Sequence, residues 1–247
     1  MSTETAPTVA FHYYDRHLTA EDRMGENALQ DAVIEALREL LDWMFDGQDV
    51  FLARNLNIYR ERNAREYPVA PDLAVFTGVS IPLAAREDLT SWRMYEPNRP
   101  APAFVLEVAS AATWKVDLQR KPAIYTAMGV AEYCLYDPKR APYLPGPELR
   151  LWRRNAAGMH AVSAEPDGRI WSAVLASWVV PQPPLLQLVD ADGVRRISRV
   201  AAAQRAAIVA ERAAIVAQQR AIAEQGAKQR AWAKLRELGI DPRTLED

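Results

Sequence analysis

From Glu26 to Phe45 the apolar residues fall at Leu29, Val33, Ile34, Leu37, Leu40, Leu41 and Met44. Steps of three and four place them on one stripe, which predicts an amphipathic helix ended by Asp46-Gly47. The period then changes. Val50 to Tyr59 alternates, with Leu52, Leu56 and Ile58 on one side, and reads as a strand. Pro71 precedes Leu73-Ala74-Val75-Phe76, a short buried-strand pattern ending at Thr77-Gly78. Residues 80–101, rich in proline and charge, read as a loop. Phe104 to Val108 is the next predicted strand, 115–128 a helix stopped by Gly129, and Glu132 to Tyr136 a strand closed by Asp137-Pro138. This alternation of helices and strands argues for the α/β class.

Beyond a proline-rich turn (Pro142, Pro145, Pro147) the pattern becomes one of short strands. Leu149–Arg153, Met159–Ser163 and Ile170–Val180 are separated by Ala157-Gly158 and Pro166-Asp167-Gly168, which predicts antiparallel hairpins added to a mixed sheet. Pro181 to Pro184 interrupts it. Near Ser198 the character changes again. Residues 201–233 hold fourteen alanines and no proline, and AAIVAER (206–212) is followed by AAIVAQQ (213–219). A long helix is expected, stopped near Gly239, with Ala206, Val209, Ala213 and Val216 as a thin seam and Ile208 and Ile215 beside it. The expected organisation is a lead-in at 1–22, a main domain at 23–197 and a helical tail at 198–247.

Composition adds constraints. The chain has 247 residues, 49% hydrophobic and 25% charged, which is ordinary for a globular protein with a sizeable core. Formal net charge is −2, so the whole molecule is no polyanion binder by bulk charge. Residues 198–238 carry eight Lys/Arg against three Glu, so the remainder is acidic. With one cysteine, Cys134, neither an internal disulfide nor a cysteine-based zinc site can form. No stretch is long and apolar enough to span a bilayer, and the first residues lack a signal-peptide pattern, so a cytoplasmic protein is expected.

The chemistry begins at Glu107, an acid inside the apolar run Phe104–Val108. A buried carboxylate needs a partner or surrenders its charge. Asp72 stands at the mouth of another short apolar strand. Two neighbouring strands can bring one carboxylate each to a common edge, where the pair repels unless a cation intervenes. Mg²⁺ suits such a pair, because it takes oxygen ligands and typically one or two carboxylates. A lysine nearby would supply positive charge or a base. Ala109, on the Glu107 face, leaves that slot empty, so Lys115 and Lys121 are the candidates. The competing account of Glu107 is a structural ion pair with Arg54 or Arg120.

The ordered blocks PDLAVF (71–76), VLEVAS (105–110), Asp117 with Lys121, Tyr125, Gly129-Val130, Glu132-Tyr133 and Asp137-Pro138 together resemble the Uma2 family. These are restriction-endonuclease-like proteins of the PD-(D/E)XK nuclease superfamily. The resemblance implies an endonuclease-like core, a mixed sheet flanked by helices, with the hairpins and the long C-terminal helix as additions. It implies an Mg²⁺-dependent endonuclease, with Mn²⁺ as a substitute, hydrolysing phosphodiesters in DNA. By position, Asp72, Glu107 and the Val108 backbone carbonyl would hold the metal. Lys121 would be the catalytic lysine, moved from the strand to the neighbouring helix. Glu26 and Gln30, four apart on the first helix, are further candidates from the polar groups that this helix often adds. Pro122 disfavours helical geometry at Lys121 and predicts that a helix begins or kinks there.

Other residues read more plainly. Tyr125 and Tyr133 are expected as core aromatics, and Arg60, Arg62 and Arg65 as a loop cluster that could track a phosphate backbone. A second reading, of a different class, is an inactive nuclease-fold module that binds nucleic acid or a protein and assembles through its C-terminal helix. A homodimer, built through residues 198–238, is expected in either case.

Overall fold

The computed structural model describes residues 28–62, 68–86, 88–141, 144–239 and 241. The lead-in, Glu26 and Arg65 lie outside the described residues. Two compact units are present, Met1–Ser198 and Arg199–Asp247.

In the first unit the amphipathic stripe forms helix α1 (Ala28–Met44), which buries Val33, Ile34, Leu37, Leu40 and Leu41. A six-stranded sheet follows the order β1 (Val50–Ala53), β3 (Leu73–Thr77), β5 (Phe104–Val108), β6 (Glu132–Tyr136), β7 (Leu149–Asn155), β8 (Gly158–Ala161). Only β5 and β6 run parallel; the other pairs are antiparallel. A parallel pair needs a crossover. Here it carries α3 (Trp114–Gln119) and α4 (Lys121–Met128). The predicted strand at Val50–Tyr59 is two strands. Asn55 adopts φ +48 and turns the chain, so β2 (Asn57–Tyr59) leaves the main sheet and pairs in parallel with β4 (Ser91–Arg93). Asparagine tolerates this left-handed conformation at little cost. The phase also differs from expectation: Phe51 and Ala53, not Leu52, are the buried positions of β1. The predicted loop 80–101 contains β4 and a single helical turn, α2 (Leu83–Arg86).

The hairpin region closes as a three-stranded antiparallel sheet, β9 (Ile170–Ser172), β10 (Ser177–Gln182) and β11 (Leu185–Val189). Of the expected break at Pro181–Pro184, Pro181 and Gln182 continue β10 and Pro183-Pro184 form the hairpin tip; β11 departs from expectation, because its short run of Leu and Val follows the prolines directly. Period-two alternation divides the main sheet into two faces. Leu73, Val75, Phe104, Leu106, Val108, Cys134 and Tyr136 pack with α1 and the β9–β11 sheet. Ala74, Phe76, Val105, Ala109, Tyr133 and Leu135 pack on the opposite side with Tyr125 and Met128 of α4.

Glu132, 1% exposed, ties the two sheets together. Its carboxylate accepts hydrogen bonds from Arg153 Nε (2.8 Å), the Ala173 (2.9 Å) and Val174 (3.3 Å) amides, and the Ser172 hydroxyl. The second unit is α5 (Arg199–Glu237), thirty-nine residues with none buried. Ile208, Val209, Ile215, Val216 and Ile222 are exposed along it. Among the described residues no helix is long and apolar enough to cross a membrane.

Candidate active site

The register of β3 against β5 fixes the two acids. Leu73 faces Leu106 at the end of the antiparallel ladder, so Asp72, in the bend just before β3, comes level with Glu107, near enough for its charge to act on that carboxyl. Directly opposed residues share a face, and the Glu107 face is the one that lies beneath α3 and α4. The Asp72 carboxylate reaches across to accept a hydrogen bond from the Val108 backbone N–H at 2.6 Å. The Val108 carbonyl accepts one from Gln30 Nε2 of α1 at 3.0 Å. One residue, Val108, therefore links the first helix, β5 and the acid just before β3, through the two successive peptide units that flank it.

Above Glu107 the crossover helices supply its partners. Arg120 separates α3 from α4, and Pro122 sits in the first turn of α4, where its missing N–H costs nothing. Lys121 is thus the first residue of a helix, as Pro122 predicts. Its Nζ lies 2.9 Å from Glu107 Oε1 and 2.9 Å from Asp117 Oδ1. Tyr125, one turn further, donates its hydroxyl to the same Glu107 oxygen. Tyr133 of β6 donates to the Asp117 backbone carbonyl at 2.9 Å. Tyr125, Tyr133 and Trp152 stack behind the site, with ring centroids 4.9 and 5.1 Å apart.

The charged groups beneath the crossover helices are deeply buried: Glu107, Lys121 and Asp117 expose 3%, 4% and 1%. Burial pushes the Glu107 carboxyl up to about 8; the Lys121 ammonium pulls it down, and the Asp72 and Asp117 carboxylates push it further up. Burial and the nearby Glu107 charge likewise drive the Tyr125 phenol well above its ordinary range, so it remains a donor. Burial also raises the Cys134 thiol, which makes it an inert packing group.

Four of the residues singled out from sequence converge here: Asp72, Glu107, Lys121 and Gln30, with the Val108 carbonyl among them. Lys115 is exposed, its Nζ over the Trp114 ring at 5.6 Å. Arg54 is not the partner of Glu107; it bonds Asp31 of α1. Arg60 pairs with Glu61 at 2.9 Å, and Arg62 lies over the Tyr95 ring at 5.5 Å. Sequence reasoning missed the functional placement of Tyr125 and Asp117. The signal was present: positions 117, 121 and 125 are spaced by four, which aligns them on one helical face.

The donor set suits a hard divalent cation. It offers two opposed carboxylates and a backbone carbonyl with a lone pair free beside the Gln30 bond. Three carboxyl groups (Asp72, Glu107, Asp117) stand against one ammonium, so negative charge is in excess once Glu107 gives up its proton. Among the described residues no group of three or more His, Cys, Asp or Glu side chains is arranged around a common ion position. A metal here would draw its remaining ligands from water, as Mg²⁺ typically does.

A family model described as Uma2, putative restriction endonuclease, matches residues 3–180. No curated protein matches the chain. Among solved structures, a putative nuclease belonging to DUF820 from Anabaena variabilis is similar at 16% identity, covering 61% of this chain and 75% of that one, with a TM-score of 0.41.

Proposed function

The chain belongs to the Uma2 family of restriction-endonuclease-like proteins, and we propose that it is a divalent-metal-dependent endonuclease hydrolysing phosphodiester bonds in DNA. One observation carries the reading: Asp72, bonded to the Val108 N–H, lies beside Glu107 at the end of the β3–β5 ladder, with the Lys121 ammonium 2.9 Å from Glu107.

Asp72, Glu107 and the Val108 carbonyl would hold the ion, Mg²⁺ or Mn²⁺. Bound there, it would supply a water of lowered pKa and offset charge on the scissile phosphate. The protein's own groups do the rest. Gln30 holds the Val108 carbonyl, and Asp72 holds the N–H of the preceding peptide unit, so the backbone on either side of the Val108 Cα is tied down. Tyr125 orients the Glu107 carboxylate. Lys121 places a positive charge beside it, where negative charge gathers as the attacked phosphate becomes pentavalent. The nuclease unit is 23–197, and the molecule is cytoplasmic. The tail, 198–247, pairs two copies through residues 198–238, since α5 leaves Ile208, Val209, Ile215, Val216 and Ile222 uncovered.

The test is plasmid nicking with Mg²⁺ or Mn²⁺, alongside calorimetric titration of the ion. Wild type should nick, and Asp72→Ala, Glu107→Ala and Lys121→Ala should each lose at least about 100-fold, the scale of removing one preorganised charge. A wild-type protein that neither nicks nor binds a divalent ion would retire the reading. The deep burial of Glu107 and its engagement by Lys121 and Tyr125 favour one competitor, a catalytically silent module that assembles through α5. Calorimetry without heat would support that competitor.

A further inference from the structure

The site has a carboxylate that the proposed chemistry does not use. Asp117 is as buried as any core leucine, at 1% exposure, yet it neither faces Asp72 across the ladder nor caps a helix. Its Oδ1 lies 2.9 Å from Lys121 Nζ as an ion pair, and neither of its oxygens makes a hydrogen bond of good geometry. Tyr133 pins the backbone of this residue through its carbonyl. Lys121 therefore stands between two buried carboxylates, Glu107 and Asp117, at equal distances.

That symmetry poses a problem for an ion-binding Glu107. Lys121 occupies an oxygen of the group that a divalent cation must take. To free it, the ammonium has to let go while staying buried, and a buried ammonium without a counter-charge is strongly disfavoured. We infer that Asp117 is a positioning residue: it retains the Lys121 ammonium when Glu107 turns to the metal, and so keeps the lysine both charged and next to the reacting phosphate. This role rests on the nuclease reading and deepens it. The four-residue spacing explains how the sequence provides it, since Asp117 and Lys121 sit on one face across the α3–α4 junction. The unused Oδ2 leaves room for the ammonium to be held by both oxygens once it leaves Glu107.

The experiment is a double-mutant cycle read by calorimetric titration of Mn²⁺ into the full-length protein, with circular dichroism as a check on folding. Asp117→Asn should weaken Mn²⁺ at least 10-fold, because Lys121 then loses one of the two buried carboxylates that hold it. Lys121→Met should bind as tightly as wild type or tighter. In the Lys121→Met background, adding Asp117→Asn should change affinity by less than 2-fold. Asp117→Glu, which keeps the charge, should restore affinity to within about 3-fold of wild type; it also serves where Asp117→Asn does not fold. Wild-type affinity in Asp117→Asn, or an equal loss with and without Lys121, overturns the role while leaving the nuclease reading intact. A wild-type protein that takes up no divalent ion removes the nuclease reading itself, and this role with it.

Discussion

Glu107→Gln should make the metal-free protein more stable, and by an amount that grows with pH. Two effects compete. Breaking a buried ion pair by removing one partner ordinarily costs about 3–5 kcal/mol, because the other charge is stranded. Lys121 would not be stranded, since Asp117 Oδ1 remains 2.9 Å from its Nζ. The glutamine amide oxygen can still accept from Tyr125 or Lys121. The opposing effect is the cost of Glu107 itself. Its carboxyl is raised from 4.5 to about 8, first by burial. Below 4.5 the group is protonated in both folded and unfolded chains and carries no penalty. Between 4.5 and 8 the folded chain holds a proton that the unfolded chain has released, so stability falls as pH rises through that window and levels off above it.

Glutamine has no such proton. At about pH 7 the difference corresponds to roughly 3 kcal/mol at 1.36 kcal/mol per pH unit, which is the larger effect here. For a chain of this size that is a rise in Tm of roughly 5–10 °C. Thermal and urea denaturation in the presence of a chelator, from about pH 5 to about pH 8.5, would measure it. The same variant should lose Mn²⁺ binding. A Glu107→Gln protein that is equally or less stable throughout would refute the reasoning, because the Glu107–Lys121 pair would then stabilise the fold and burial of the acid would cost nothing.

For the wild type, divalent affinity should rise about tenfold per pH unit up to about pH 8 and then level off, since the ion displaces the Glu107 proton; a flat profile between pH 6 and 8 in isothermal titration would count against it. Glu132→Ala should cost about 3–5 kcal/mol in urea denaturation, because Arg153, the buried Ser172 hydroxyl and the Ala173 and Val174 amides lose their shared acceptor. A loss under about 1 kcal/mol would mean that the link between the sheets is unimportant. Truncation after Ser198 should halve the mass in light scattering if the helix pairs two copies. An unchanged mass would remove the helix as the dimer contact.

Local patterns in the chain fixed the element types because they are local physics. The apolar stripe of α1, the short strands β3, β5 and β6, and the Ala-rich α5 follow from periodicity and propensity. Pro122 announced a helix boundary next to Lys121, and α4 begins at that residue. The odd placement of Glu107 in an apolar strand marked a group that must meet a cation, whichever one it proved to be.

What the chain could not state is which elements meet. The split of β1 from β2 turns on one left-handed asparagine, and a short strand hidden in a proline-rich loop, β4, is recruited only by pairing with β2. Asp72 and Glu107 are 35 positions apart, and only the β3–β5 register sets them on one face. A shift of a single residue would have sent them to opposite sides. The choice of Lys121 over Lys115 and Arg54, and the second carboxylate at Asp117, depend on how α3 and α4 lie over the sheet. Spacing along a chain determines faces. Only packing determines what a face looks at, because contacts between distant segments are decided by the shared burial of both.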